Sequence, residues 1–258
     1  MSKARHDLPI PFTAMRGRTV AFIYGLFSYG MFLIAFLYAI GFVRNVLVPK
    51  SIDSGSEGPL GRALVVNTLL LGLFAVQHSI MARAWFKKLW TRIVPEPVER
   101  STYVLISSLL LAILFSRWEP IRTVLWNLEH PAVRVVLNGL FWGGWLLVLV
   151  STFTIDHFDL FGLRQVYLHL RGRAYTPVPF KVPALYRVVR HPLMLGFIIA
   201  FWATPEMTVG HLLFAVLTTG YIFIGILLEE RDLVRTHGEA YERYRQRTRM
   251  IIPMRKLP

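Results

Sequence analysis

The chain of 258 residues contains no cysteine. This absence excludes disulfides, zinc–thiolate sites, iron–sulfur clusters and a cysteine nucleophile. The chain also lacks an HExxH metal motif, a glycine-rich nucleotide-binding loop and a GxSxG hydrolase motif. We therefore expect neither a metal site nor a soluble-type nucleotide fold. Acidic residues are scarce, with 15 Asp and Glu against 29 Lys and Arg, so the formal net charge is +14.

Hydrophobic residues make up 54% of the chain, more than is usual in a soluble domain. Several apolar runs approach the length that crosses a bilayer. We predict an all-α fold, a polytopic integral membrane helical bundle of four spans plus a C-terminal helical hairpin. The predicted spans are Val20–Val43, Ala63–Ala82, Tyr103–Phe115 extended to Trp118, and Val133–Phe153. The whole chain is expected to be one domain, with an arm at 1–18, the spans and their loops at 19–183, and the hairpin and C-terminal segment at 184–258.

The positions of the basic residues predict the topology. Most of them fall in the arm, in the loop 83–100, in the stretch 154–190 and in the tail, whereas few fall in 44–62 and 117–134. Under the positive-inside rule, both termini are expected in the cytosol, in a bacterial inner membrane. These charges are suited to anionic lipid headgroups, so we expect the bilayer and not a nucleic acid as the partner.

Ionisable residues bracket the C-terminal hairpin. Arg190-His191-Pro192 precedes its first apolar run, Phe197–Thr204, and Glu229-Glu230 follows its second, Thr208–Leu228. The first run is too short to cross alone, and a helix started near Ala184 would be kinked at Pro192. Polar groups gathered at a membrane boundary on facing helices indicate a functional site. We expect Arg190, His191, Glu229 and Glu230 to form one.

The same topology brings other polar groups to this membrane face: Gln77 and His78, Asp156, His157 and Asp159, and Arg187. Each has an ordinary explanation, such as an interfacial histidine for His78 or a helix cap for Asp156-His157. Tyr241 and Tyr244 lie three residues apart, a spacing typical of packing on one helix face. Carboxylates beside Arg and His suit a ligand with a carboxylate, an amine and hydroxyls. S-adenosylmethionine has these groups, but the residues alone do not single it out.

One ordered set of residues resembles the C-terminal signature of isoprenylcysteine carboxyl and phospholipid methyltransferases. The set consists of Arg190-His191-Pro192-x-x-x-Gly196, Glu229-Glu230-x-x-Leu233, Gly238, Tyr241, Tyr244 and Ile252-Pro253. Those enzymes usually have tyrosine where this chain has Met194, which speaks against the prenyl-protein subgroup. Two further segments, Gln77–Arg83 and His157–Gln165, resemble the membrane methanethiol S-methyltransferases and their NnrU-like relatives. With them, the resemblance extends over nearly the whole chain.

The resemblance implies methyl transfer from S-adenosylmethionine to the small thiol methanethiol, yielding dimethyl sulfide. By the family pattern, His191 and Glu230 contact the cofactor, Arg190 and Glu229 lie close by, and Tyr241 and Tyr244 belong to the same cofactor-binding set. The thiolate is the true nucleophile, so a site must take a proton or hold an anion. The base candidates are His78, Asp156 and His157, and the anion-holding candidates are Arg187 and Arg190.

Two alternatives to methanethiol methylation stay open. The first is a methyltransferase that acts on a lipid or an isoprenylcysteine-type substrate. The second, more remote, is an oxidoreductase resembling the membrane sterol reductases, which share a similar layout from the Arg-His-Pro motif to the C-terminus. The sequence does not indicate an oligomeric state.

Overall fold

A computed structural model describes residues 12–252, with side chains from residue 15 onward. The predicted arm up to residue 11 and Pro253 of the C-terminal signature lie outside these described residues. The described part is mainly helical, with two short strands. Its elements in chain order are α1 (Phe12–Arg44), α2 (Leu60–Met81), α3 (Ala84–Trp90), α4 (Glu96–Arg117), β1 (Val124–Asn127), α5 (Pro131–Ile155), α6 (His157–Leu160), α7 (Leu163–Leu170), α8 (Ala184–Val188), α9 (Pro192–Trp202), β2 (Glu206–Thr208), α10 (Val209–His237) and α11 (Glu239–Arg247).

Within the described residues, five helices are long and apolar enough to cross a membrane: α1, α2, α4, α5 and α10. The helical membrane fold is thereby confirmed. The helix that contains the third predicted span is longer than that span, because α4 begins at Glu96, well before Tyr103. Pro97 lies in its first turn, where a missing N–H costs nothing, and Glu96 and Glu99 complement the helix dipole there.

Pro192 begins a helix and does not kink a longer one, which corrects the expectation of a continuous helix from Ala184. Val189, with φ −137° and ψ 151°, is extended and separates α8 from α9. The backbone N–H groups of Arg190 and His191 donate to the carbonyls of Arg249 (2.8 Å) and Met250 (3.1 Å). The C-terminal segment therefore satisfies the backbone that the helix break leaves open.

The opposite end of the bundle is closed by a small sheet. β1 pairs antiparallel with β2, with Asn127 opposite Glu206. Thr208 Oγ1 also donates to Asp53 Oδ1 at 2.6 Å. The tip of the hairpin therefore lies at the same end as the loops after α1 and α4. With 11 residues, α9 is about 16 Å long, which is roughly half the thickness of the hydrocarbon core of a bilayer. The chain continues beyond α9 through the buried residues Ala203 and Met207, so this part of the hairpin extends further than the helix alone.

Helices α5 and α9 cross in contact at Gly144 and Gly196. A Cβ atom added to Gly196 would lie 2.7 Å from the Gly144 carbonyl oxygen and 2.9 Å from the Val148 nitrogen. Backbone atoms cannot move aside as a flexible side chain can. Small residues allow this close approach of membrane helices. The glycine of the Arg-His-Pro-x-x-x-Gly motif is thus required for helix packing, and it places His191 beside the end of α10.

Candidate functional site

Arg190, His191 and Glu230 form a buried cluster between the start of α9 and the end of α10. Arg190 Nε donates to Glu230 Oε1 at 2.7 Å, and His191 Nε2 lies 3.0 Å from the same oxygen. The guanidinium also donates to the backbone carbonyls of Thr248 and Arg245. The three side chains are only 6–8% exposed. Because buried charges require paired and hydrogen-bonded partners, this cluster joins α9, α10 and the C-terminal segment into one unit.

Glu229 differs from its neighbour Glu230 in exposure. Its side chain is 47% exposed, and its Oε2 lies 3.6 Å from His191 Nδ1. A carboxylate offers about four acceptor positions, so this contact leaves most of them open. Glu229 is therefore the member of the predicted set that is best able to accept hydrogen bonds from a ligand.

Tyr241 and Tyr244 lie on α11 with their rings packed together at 5.7 Å between centroids. The Tyr241 hydroxyl is buried and has no hydrogen-bond partner among the described residues. The Tyr244 hydroxyl donates to the Tyr186 carbonyl at 2.6 Å. Burial raises the pKa of both phenols, so both stay protonated and are hydrogen-bond donors. Tyr241 thus carries a donor without an acceptor close to the Arg190 cluster.

His157 lies between α1 and α5 and is hydrogen-bonded on both ring nitrogens. Its Nδ1 is 2.8 Å from Thr152 Oγ1, and its Nε2 is 2.8 Å from the Tyr29 hydroxyl. The Thr152 hydroxyl donates its hydrogen to the Leu149 carbonyl, so its oxygen accepts a hydrogen bond from Nδ1–H of His157. Nε2 of His157 therefore accepts a hydrogen bond from the Tyr29 hydroxyl. Burial lowers the pKa of His157. The imidazole is therefore neutral, with no free lone pair in this arrangement.

His78 lies on α2 and faces α4. Ser107 donates to Gln77 Oε1 (3.2 Å) and accepts from His78 Nδ1 (3.2 Å), while the Tyr103 hydroxyl lies 2.8 Å from Nε2. That hydroxyl is also 3.4 Å from the backbone carbonyl of His78, a second acceptor toward which it can turn. Both ring nitrogens of His78 therefore lie within hydrogen-bonding distance of hydroxyl groups.

Two predicted residues lie outside these clusters. Asp156 caps α6, with its carboxylate accepting from the Asp159 N–H at 3.1 Å. Arg187 is exposed and donates to the Val182 carbonyl at 3.3 Å. Asp159 instead anchors the polar stretch after α5, because it accepts from Arg164 at 2.9 Å and from Tyr175 at 3.2 Å.

Sequence reasoning missed the contact that joins the His78 and Glu229 regions. Arg83, just after α2, forms a 2.7 Å ion pair with Asp232 on α10. Asp232 lies about one helical turn beyond Glu229 on that helix. Arg83 belongs to the Gln77–Arg83 motif, and this motif was the sequence feature that could have drawn attention to Arg83. Its partner lies 149 residues away in the chain, so only the fold identifies it.

No group of three or more His, Cys, Asp or Glu in the described part of the chain is placed to hold a metal ion. A cleft of about 140 Å³ between α1 and α4 is lined by Met31, Tyr38 and Phe115 among others. It opens near the sheet-closed end, where Tyr38 donates to the Lys50 carbonyl, and not at the Arg190 cluster.

The family described as NnrU protein matches residues 66–254 of this chain. The chain belongs to the NnrU protein family. The matched region runs from α2 to beyond α11 and contains His78, His157, Arg190 and Glu229, whereas Tyr29 on α1 lies outside it.

The relatives of this NnrU family member include proteins with an enzyme name. The "Methanethiol S-methyltransferase" of Mycobacterium tuberculosis is 55% identical over 236 residues, which is 92% of this chain and 97% of the relative. The protein of the same name in Crocosphaera subtropica is 53% identical and covers 92% of each chain. "Nurim" of Pan troglodytes is 32% identical over 74% of this chain and 70% of its own length. No solved structure matches the chain. The two methanethiol S-methyltransferase names support a methyltransferase.

Proposed function

We propose that this protein methylates methanethiol with S-adenosylmethionine, forming dimethyl sulfide and S-adenosylhomocysteine at the cytosolic face of a bacterial inner membrane. The observation that carries this proposal is the similarity to relatives named methanethiol S-methyltransferase, which extends over 92% of the chain. The methyl donor, the acceptor and the membrane face are our inference. The five apolar helices support a membrane enzyme that a small apolar thiol reaches by partitioning from the bilayer.

The residues near α10 and α11 fit S-adenosylmethionine. The half-exposed carboxylate of Glu229 suits an ammonium group or ribose hydroxyls, and the unpartnered Tyr241 hydroxyl is a donor for a ligand acceptor. When bound, S-adenosylmethionine supplies an electrophilic methyl group on a sulfonium. The protein's task is then to align donor and acceptor, because methyl transfer is an in-line displacement in which positioning supplies much of the rate.

In this proposal, the Arg190 cluster supports the site rather than touching the reacting atoms. The hydrogen bonds of Arg190 and Glu230 are directed to each other, to His191 and to the C-terminal backbone. His191 in turn lies beside Glu229. The cluster thus fixes the position of Glu229. The resemblance placed His191 and Glu230 in contact with the cofactor; this geometry favours Glu229 for that contact.

On the acceptor side, we assign proton removal from methanethiol to His78. The thiolate is the nucleophile, and a free thiol is mostly protonated at neutral pH. His78 lies near the end of α2, shortly before Arg83, whose ion pair with Asp232 connects α2 to the part of α10 that carries Glu229. When the Tyr103 hydroxyl turns to the His78 carbonyl, Nε2 is open to the proton. His157 lies instead in the seam between α1 and α5, with both nitrogens engaged.

An acceptor panel tests the proposal. Purified protein in detergent is incubated with methyl-labelled S-adenosylmethionine and, separately, with methanethiol, longer alkyl thiols or phospholipid. We expect label in a volatile sulfide with methanethiol and little label in the lipid fraction. Glu229→Ala should lower this transfer, whereas Glu239→Ala, an exposed change on α11, should not. Preferential labelling of phospholipid would overturn the acceptor assignment and favour the lipid-methylating alternative.

A further inference from the structure

One face of α10 lies against the second half of α2. The Tyr221 ring on α10 is 6.5 Å from the His78 ring and 6.2 Å from the Phe74 ring, measured between centroids. Further along α10, Asp232 forms the 2.7 Å ion pair with Arg83. The two helices are therefore held together at two levels, which are about 16 Å apart along α10.

Arg83 joins the end of α2 firmly to α10. Its Nε donates to the Ser79 carbonyl at 3.2 Å, while its Nη1 donates to Asp232 Oδ2 at 2.7 Å. Hydrogen bonds from a guanidinium are stronger than neutral ones, so this bridge is a rigid closure of the seam between the helices. A long apolar chain would have to desolvate this charged pair to extend past it.

The seam has room between its two contacts. Tyr221, Gly225, Leu228 and Asp232 follow one another at i, i+4, i+7 and i+11, so they lie on one face of α10. Gly225 is partly buried, yet a Cβ atom added to it would meet no atom within 4 Å. At Gly196, by contrast, an added Cβ atom would touch the backbone of α5. Gly225 therefore leaves unfilled space on the face that α10 turns to α2, and we call this space the α2–α10 gap.

Apolar side chains border the gap. Ile224, next to Gly225 on α10, is 58% exposed, and Ile80, near the end of α2, is 38% exposed. Exposed apolar side chains on helices of this length and hydropathy face the acyl chains of a bilayer. A small apolar molecule that is dissolved in the bilayer can therefore reach the gap without crossing a polar layer.

The gap ends beside the residue that we assign to the methyl donor. Glu229 directly follows Leu228 on α10, and His78 lies at the other end of the gap through its contact with Tyr221. Resting on the proposed function, we propose that the α2–α10 gap is the binding site of methanethiol, with the sulfur toward His78 and the methyl group over Gly225. Acceptor and donor sites are then contiguous along one helix, as an in-line transfer requires.

A lipid chain is a poorer occupant of the gap. An acyl or prenyl chain needs a groove that continues, whereas aromatic rings bound the gap at one end and the Arg83–Asp232 pair bounds it at the other. A hydrocarbon chain also gives no reason for an imidazole in the wall. A thiol of few atoms fits both features.

Filling the gap tests the inference. Gly225→Leu is compared with Gly220→Leu, a matched control, because Gly220 also has no atom within 4 Å of an added Cβ but is exposed on another face of α10. Full-length protein in detergent is assayed for the KM of methanethiol and titrated calorimetrically with S-adenosylmethionine. We expect Gly225→Leu to raise the KM about tenfold or more and to keep the cofactor affinity within about twofold. Gly220→Leu should match wild type in both measurements.

The outcomes separate this inference from the proposed function. Gly225→Ala adds a single methyl group in open space, so it should fold even if the leucine variant does not, and we expect it to raise the KM about threefold. A wild-type KM in the folded Gly225 variants would overturn the thiol site while leaving the methyl transfer standing. A loss of cofactor affinity that parallels the rise in KM would assign the gap to S-adenosylmethionine and equally overturn it. Wild-type protein that methylates a lipid and not methanethiol would contradict the proposed function and this site with it.

Discussion

Glu229 and Glu230 are adjacent carboxylates for which the structure predicts opposite consequences. Replacing Glu230 with alanine leaves Arg190 buried without its carboxylate partner, with its guanidinium held only by backbone carbonyls. Breaking a buried ion pair in this way typically costs about 3–5 kcal/mol. For a chain of this size, that loss lowers the melting temperature by roughly 6–20 °C. Thermal unfolding in detergent, followed by far-ultraviolet circular dichroism, measures the change.

Glu229→Ala is the matched control. Its side chain is 47% exposed and has one distant partner, so we expect the melting temperature to stay close to that of wild type. Its affinity for S-adenosylmethionine should instead fall about tenfold or more, or at least about 1.4 kcal/mol. A Glu230→Ala protein that melts like wild type but no longer binds the cofactor would refute the supporting role, and would make Glu230 the ligand contact that the family resemblance implied.

Three further results are expected. Gly196→Ala should destabilise the fold by about 1–3 kcal/mol, because the added Cβ atom meets the α5 backbone. Gly220→Ala is the control, since a Cβ atom there has open space and should not destabilise the fold. Equal melting temperatures for the two variants would contradict the close contact between α5 and α9. His78→Gln should lower turnover about 10²–10⁴-fold near neutral pH while the affinity for the cofactor is preserved. This loss of turnover should become smaller in alkaline buffer. A loss of turnover that does not depend on pH would argue against His78 as the general base. Since burial lowers the pKa of His157, its neutral form contributes stability above about pH 6.5 that is lost as the pH falls toward the folded pKa. The melting temperature of His157→Gln should therefore vary less between pH 7.5 and 5, and parallel curves would count against a buried neutral imidazole.

Local sequence patterns predicted the helical membrane fold and the grouping of charges at the hairpin. Long apolar runs are visible without tertiary information, and charges at the ends of facing helices must lie at one membrane boundary. On that basis Arg190, His191 and Glu230 were placed together, and the structure brings them within hydrogen-bonding distance. The difference in burial between Glu229 and Glu230 was not predictable, because it depends on which carboxylate faces the C-terminal segment.

Features that depend on pairing between distant segments were missed. The sheet that joins 124–127 to 206–208 requires two short strands that have no periodic pattern of their own. The break at Pro192 depends on carbonyls of Arg249 and Met250, which accept the freed N–H groups. The sequence offered both His78 and His157 as base candidates, and their surroundings differ through partners on other helices, among them Tyr103 and Tyr29.

The most direct test of the central claim follows the methyl group itself. Purified protein is given methanethiol and S-adenosylmethionine that carries a trideuterated methyl group, and the headspace is analysed by mass spectrometry. The proposed function predicts dimethyl sulfide that is three mass units heavier than the unlabelled compound, formed in proportion to S-adenosylhomocysteine. Dimethyl sulfide without the label, or S-adenosylhomocysteine released with the label in the lipid fraction, would contradict methyl transfer from this donor to methanethiol.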